Sequence, residues 1–393
     1  MKEWVNWSGS LRFSPSKYLE PKSEMLLRDV IKRQYENGAR FKIAAAGHSS
    51  SPLVKTNDVL IHLGELKGLK STDDGSATFF AGTTVHEANM VLQQHNLALF
   101  NTGDVDVQTL AGAISTGTHG SGRKLQNLAA ILKGVRMIDY KGDIHVFDEE
   151  THSEIMNAMR VSLGALGVFS EIAVRTVPLF QLKRVELFTD TETCLDHFDR
   201  LTEENRNVDF YWYPRSDETK IRILNEPGKG SQRFDFSFYG KKESEGNIGE
   251  ILPKKRTLKF DEMEYALPRE AGLECFRAIR KRVKDRHRKA VAWRILVRCI
   301  AADEFFLSPH YGRESISISL HHNAGLPFDE YFSDIEPIFI AFGGRPHWAK
   351  KHNLKAEQLM KLYPQWEKFH TLRRKFDPEG FFMNNHLEEI FGI

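Results

Sequence analysis

From Ala111 to Gly122 the chain reads Ala-Gly-Ala-Ile-Ser-Thr-Gly-Thr-His-Gly-Ser-Gly, with four glycines and four hydroxyl residues in twelve positions. So little side-chain bulk cannot build a core, so the stretch is a connection whose backbone is free to approach something closely. It lacks the Lys of a Walker A loop and the G-x-G-x-x-G order of a Rossmann turn, which removes both of those mechanisms. Two possibilities remain, a backbone cradle for a pyrophosphate and a plain flexible loop, and the twelve residues alone do not choose between them. A second small-residue turn, Ala44 to Pro52, follows a short apolar run. Its amides can form an anion-binding nest, or it is a surface turn. His48 within it is placed as a nucleophile or ligand, although a lone histidine is more often structural.

Around these loops the first 178 residues alternate short strands with helices. Ser23 opens an amphipathic helix that stops at Asn37-Gly38, and Phe41 to Ala46 and Val59 to Leu63 read as strands. Ser71 to Gly75 reads as a turn before a strand at Thr78 to Ala81, and Thr84-x-x-Glu87 is a capping box for a helix ending near His95. Leu132 to Tyr140 and Ile144 to Phe147 form a hairpin pattern. After Pro178 the texture changes to long charged segments with aromatic strands such as Val208 to Tyr213, which places a domain boundary there. Val291 to Ala301 and Ser315 to Leu320 read as strands, and Ala356 to Phe382 as one or two helices. Two domains also suit 393 residues at about 100 to 200 residues per domain.

A third segment, Gly343-Gly344-Arg345-Pro346-His347-Trp348-Ala349-Lys350, gathers three potentially cationic side chains and an indole. Such a cluster can hold an oxyanion and supply a proton acceptor, or it is a structural cation–π arrangement. Metal binding is not expected, because His310, His321 and His322 have no carboxylate at ligand spacing. Cys194, Cys275 and Cys299 lack C-x-x-C spacing and imply neither a disulfide framework nor a thiolate zinc site. With 55 Lys and Arg against 53 Asp and Glu the net charge is +2, which argues against a nucleic-acid partner. The basic run Arg277 to Lys289 then reads as a solvated helix face. No run of about 18 uncharged apolar residues suggests a membrane anchor, and a cytoplasmic location is expected.

Taken in order, Asn6-Trp7-Ser8-Gly9, Gly47-His48-Ser49, Ser115 to Gly122, Glu262 to Pro268, Leu307-Ser308-Pro309, His347-Trp348-Ala349-Lys350, Phe376 to Gly380 and Asn384-Asn385 resemble motifs of the FAD-linked oxidases of the vanillyl-alcohol oxidase superfamily. Within it they are most similar to the aldonolactone oxidase and alditol oxidase group. The resemblance implies an α+β protein with a two-subdomain FAD-binding domain of the p-cresol methylhydroxylase type over residues 1–178. A cap with a large antiparallel sheet flanked by helices would span 179–350, and a tail, 351–393, would return to the FAD domain. It further implies FAD bound covalently through His48. The cofactor would contact Ala45, Ala46, Gly47, His48, Ser49, Ser50, Thr102, Gly103, Ala111, Gly112, Ser115, Thr116, Gly117, His119, Gly120, Val168, Ile172 and Asn384.

By the same resemblance Lys350, Arg298 and His347 would be catalytic, with Ser121, Arg298, Ser319, His321, Arg345 and Lys350 facing the substrate. The implied reaction is oxidation of a CH–OH group in a sugar 1,4-lactone or alditol by hydride transfer to flavin N5, with O2 or another acceptor taking the electrons. Two alternatives stay open. One is a dehydrogenase or epimerase-type oxidase acting on a modified sugar, and the other a flavin scaffold that binds carbohydrate without turnover. Relatives present Glu-x-Arg on the cap strand where this chain has Leu296-Val297-Arg298, so the carboxylate expected to bind a substrate hydroxyl is missing there. Ala45 also replaces a glycine common in the loop before the attachment histidine.

Overall fold

A computed structural model describes residues 2–231, 233–253 and 257–393. The N-terminal part contains a three-stranded parallel sheet, in the order Lys17–Leu19, Val59–His62, Phe41–Ala44, beside a five-stranded antiparallel sheet. The second sheet runs Ile144–Asp148, Leu132–Ile138, Val168–Arg175, Ser76–Phe80, Leu69–Asp73. Helix Glu24–Glu36 starts where Ser23 accepts the Leu26 amide, and Val85–Gln94 starts on the Thr84/Glu87 capping box. Leu69–Asp73 is a strand where a turn was expected: its polar residues lie on a solvent-facing edge, so pairing with Ser76–Phe80 and not apolar content forms it. The small-residue stretch begins with a helix, Leu110–Ser115, which Thr109 caps and whose Leu110, Ala113 and Ile114 are buried.

The C-terminal part is an eight-stranded antiparallel sheet between residues 181 and 346. Its central strands are Asn207–Tyr213, Ile295–Ile300, Ser315–Asn323 and Phe260–Pro268. Strict alternation gives this sheet two unlike faces. Phe210 and Trp212 point to one side and meet Phe276 of helix Arg269–Arg282 edge-on at 5.2 and 5.9 Å, with Phe198 of helix Thr191–Glu204 at 5.0 Å from Phe210. Each such ring removes a large apolar area from water, worth about 1.5–3 kcal/mol. The intervening positions carry Asp209, Arg222, Arg298, Ser317, Ser319, Glu262 and Glu264, all buried on the opposite face. That polar face packs on the N-terminal part. Tyr211 donates to Asp104 at 2.7 Å, Arg222 reaches Asp104 and Asp209, and the Gly122 amide donates to the Cys299 carbonyl at 2.7 Å.

The tail forms helices Ala356–Leu362 and Trp366–Phe376, as the pattern over 356–382 suggested, and a further helix beyond it, Asn385–Phe391. Asp377 closes the turn before the last helix by accepting the amides of Phe381 and Phe382 at 2.8 and 2.9 Å. The tail then joins the parallel sheet, since the Phe41 amide donates to the Phe381 carbonyl and Lys42 Nζ to that of Phe382 at 2.6 Å. Asn384 Nδ2 lies within 2.8–3.2 Å of the carbonyls of Pro52, Leu53 and Lys55, while its Oδ1 caps the last helix. Asn384→Ala removes these bonds and the cap, so the unfolding free energy is expected to fall by about 1–3 kcal/mol. Chemical denaturation measures this, and an unchanged midpoint would show that apolar packing alone holds the tail.

Candidate active site

Between the two N-terminal sheets lies a groove with about 1000 Å³ of empty space. Residues 44–49, 109–116 and 163–169 supply most of its wall, with apolar sides from Ile43, Leu53, Val54 and Phe169. The loop after strand Phe41–Ala44 turns at Gly47 with φ +67°, a left-handed conformation open mainly to glycine, and a Cβ there would come within 3.1 Å of the Trp4 ring. Among the described residues no acceptor meets the amides of Ala46, Gly47, His48 or Ser49. Thr102 Oγ1 is likewise buried without a partner. Gly120 admits no side chain either, because a Cβ would meet the Thr102 carbonyl at 2.4 Å. An elongated apolar groove floored by small residues and unspent amides fits a flavin dinucleotide. The His48 ring stacks on Trp7 at 5.0 Å, and burial together with the Lys350 charge lowers its pKa to about 4. His48 is therefore neutral at pH 7, the form with a lone pair to offer.

Next to the groove, the polar face of the large sheet presents two cation–carboxylate pairs. Glu264 Oε1 receives Arg298 Nη2 at 2.6 Å and the Ser317 hydroxyl, and stands 2.9 Å from His119 Nε2. Burial alone would raise the Glu264 carboxyl, but Arg298 and His119 outweigh it and hold it well below the usual range. Arg298 Nη1 also donates to the His119 carbonyl at 3.2 Å, while its Nε is buried without a partner among the described residues. Glu262, two residues earlier on the same face, accepts from Lys350 Nζ at 2.5 Å, with His321 Nε2 at 3.5 Å. Burial pushes its carboxyl up and Lys350 and His321 pull it down, for a net lowering.

His347 Nδ1 accepts the Ala349 amide at 3.1 Å, so its hydrogen sits on Nε2, and burial lowers its pKa to about 3. It stands in this geometry as a neutral donor and not as a base. The ligand atoms of His119, Glu264 and His347 lie within 4.8 Å of one another, but Arg298 already supplies positive charge to the carboxylate.

Of the expected cofactor contacts, Ala45, Ala46, Gly47, His48, Ser49, Ala111, Gly112, Ser115, Thr116 and Val168 line the groove. Thr102 and Gly120 line an adjoining cavity, and Ser50 lines one on the far side of its loop. His119 belongs to the Glu264 pair, Gly103 packs under the His119 carbonyl, and Gly117 turns beside Val161. Ile172 is fully buried within the sheet, and Asn384 acts on the loop behind the groove.

Arg298, Lys350, Ser319 and His321 come together with the two carboxylates. Two expected substrate contacts are directed elsewhere. The Ser121 hydroxyl donates to the Val208 carbonyl, and the Arg345 guanidinium donates to the carbonyls of Leu362 and Tyr311 at 2.8 Å each, where it joins the cap to the tail. Glu262, Glu264 and Ser317 escaped the sequence reading. The signal for the first two was alternating acidic residues in the otherwise apolar run Glu262-Met263-Glu264-Tyr265-Ala266-Leu267. Where the sequence lacks a carboxylate beside Arg298, the fold brings Glu264 to it from another strand.

The chain resembles known proteins along its full length. A D-arabinono-1,4-lactone oxidase family model matches residues 227–390, and an FAD-binding domain model matches residues 15–148. L-gulono-1,4-lactone dehydrogenase of Mycobacterium tuberculosis is 31% identical, over 99% of each chain. L-gulonolactone oxidase of Mus musculus is 29% identical over 99% of this chain and 98% of its own, and alditol oxidase of a Streptomyces species 26% over 98% of each. Among solved structures, cholesterol oxidase from Brevibacterium sterolicum superposes with a TM-score of 0.86 over 99% of this chain and 96% of its own, at 13% identity, a likeness of fold alone.

The histidines of this region and the tail set a pH response. Burial lowers His48, His370 and His386 to about 4 and His347 and His352 to about 3, against 6.5 in the unfolded chain. Each therefore contributes stability that is present above pH 6.5 and lost as the pH falls through its folded value. Asp303, raised by burial to about 7, and Asp209 and Asp377, also raised by burial, work in the opposite direction, but His310, lowered by burial as well, adds to the five histidines. The melting temperature is expected to drop steadily from about pH 6.5 to about pH 4. A flat melting profile over that range would contradict this.

Proposed function

The chain belongs to the FAD-linked aldonolactone oxidase and alditol oxidase family, and from that premise we propose a catalytic role for each cation of its active site. The protein is an FAD-dependent oxidoreductase that oxidises a CH–OH group of a sugar lactone or alditol. When bound, FAD supplies the hydride acceptor at its N5. Residues 45–49 and 111–116 would hold it, with the unspent amides of residues 46–49 available to its pyrophosphate and the helix Leu110–Ser115 serving as wall. His48, neutral and stacked on Trp7, would carry the covalent bond to the flavin.

The observation that carries the catalytic assignment is the pairing on the sheet face. Glu264 orients Arg298 so that its buried Nε is left with hydrogen-bonding capacity among the described residues, and Glu262, two residues along the same strand, orients Lys350. A substrate hydroxyl oxygen that meets Arg298 Nε and Lys350 Nζ loses its proton more easily, because fixed cations in a water-poor site stabilise the developing alkoxide. His347 Nε2–H adds a neutral donor behind them. Among the described residues no helix is long and apolar enough to cross a membrane. The three cysteines are buried and free, which suits the reducing cytoplasm.

The purified protein is expected to be yellow and to bleach anaerobically with an aldonolactone or alditol. Lys350→Met should slow that bleaching by about 10²–10³-fold. Acid precipitation should leave flavin attached in the wild type and release it from His48→Ala. A colourless protein would refute FAD dependence, and no bleaching by any lactone or alditol would refute the oxidation. Comparing peroxide yield with dye reduction then distinguishes O2 from another electron acceptor.

A further inference from the structure

The two carboxylates on strand Phe260–Pro268 are not equivalent. Glu264 is sealed, its side chain 1% exposed, and one oxygen already takes three donors from the protein. Glu262 lies one register row away, opposite His321, and among the described residues its charged hydrogen bond comes from Lys350. The side chains of Glu262, His321 and Lys350 keep 7, 10 and 16% exposure, so this trio has an open edge where Glu264 has none.

That edge is bordered by a run of rings. His48 stacks on Trp7 at 5.0 Å, Trp7 meets Phe260 edge-on at 5.1 Å, and Phe260 packs against Trp293 at 5.0 Å and His321 at 4.8 Å. The series leads from the proposed flavin-attachment histidine to the histidine beside Glu262. A polyol has O–H edges and C–H faces, and this wall offers a carboxylate and an ammonium to the former and aromatic surface to the latter. Leu296 lies in the neighbouring row of the same face, in register with Ser319 and through it with Glu264. It is 4% exposed and offers no polar atom.

We propose that Glu262 is the specificity-determining carboxylate of this chain: paired with Lys350, it accepts hydrogen bonds from hydroxyls of a neutral polyol or lactone, a task that Leu296 cannot perform. The inference rests on the oxidation reading above and adds to it the residue that reads the substrate's hydroxyls. Among the described residues Lys350 and Arg298 are each already matched by a carboxylate, so neither of these two cations is spare for a phosphate or carboxylate substituent, and anionic sugars are disfavoured.

The test compares wild type, Glu262→Gln, Glu262→Ala and Glu262→Ala combined with Leu296→Glu, all as holoenzymes whose flavin content and melting temperature are measured first. Binding of a non-oxidised sugar lactone is read from the flavin difference spectrum, and anaerobic bleaching is followed over neutral and phosphorylated sugars. Glu262→Gln is expected to weaken binding of the non-oxidised lactone by about tenfold or more; because Glu262 also orients Lys350, the limiting rate of bleaching falls as well, and the binding constant, not the rate, tests the proposal. Restoring a carboxylate on the same face through Leu296→Glu is expected to recover binding that Glu262→Ala loses. Wild-type affinity in Glu262→Gln, failure of the Leu296→Glu rescue, or equal use of phosphorylated sugars would overturn the proposal. A wild type that no lactone or alditol bleaches refutes the oxidation itself, whereas bleaching with an unaffected Glu262→Gln refutes only the role of Glu262.

Discussion

Glu264 sits at the contact between the glycine-rich loop and the large sheet, with its charge out of reach of water. Removing a carboxylate from water costs several kcal/mol unless cations and donors replace the lost hydration. Arg298 from the adjoining sheet region, Ser317 from the neighbouring strand and His119 from the loop meet that need together. Since His119 and Glu264 come from different halves of the chain, the carboxylate ties the loop to the sheet, while Arg298 and Ser317 from its own half supply the opposite charge and a hydroxyl. The bond to Arg298 also aims its guanidinium, so the contact that joins the halves fixes a cation between Glu264 and the His119 carbonyl.

The tail serves the groove from behind. Asn384 fixes the carbonyls of residues 52, 53 and 55, just past the turn that carries His48, and the Lys42 amine reaches a tail carbonyl beneath the parallel sheet. A loop rich in glycine and serine pays a large entropy cost to hold one shape. Anchoring its exit to a capped helix lowers the number of shapes available before any cofactor arrives.

Much of the N-terminal architecture was legible because it depends on local chemistry. The Ser23 cap, the Thr84/Glu87 capping box and the hairpin around residues 141–143 each occupy a few consecutive residues, and each formed as expected. Helix Leu110–Ser115 was hidden by its small, polar composition, because the burial of Leu110 and Ile114 and not intrinsic propensity makes it helical. At the site, His48 and the 111–116 segment announced themselves by residue type. Arg345 looked equally chemical beside His347 and Lys350, yet its guanidinium satisfies backbone carbonyls of the cap and tail.

The sequence by itself determined the family, the cofactor class, the loops that line the groove and the cations near Lys350, since these are written as ordered short motifs. Only the tertiary structure decided which carboxylate meets which cation. Leu296-Val297-Arg298 reads as an arginine that has lost its acidic neighbour, whereas folding brings Glu264 to Arg298 across an intervening strand and Glu262 to Lys350 from 88 positions away. Side-chain alternation fixes which face each residue takes, but strand order fixes who stands opposite, and strand order depends on long-range pairing that no local segment encodes.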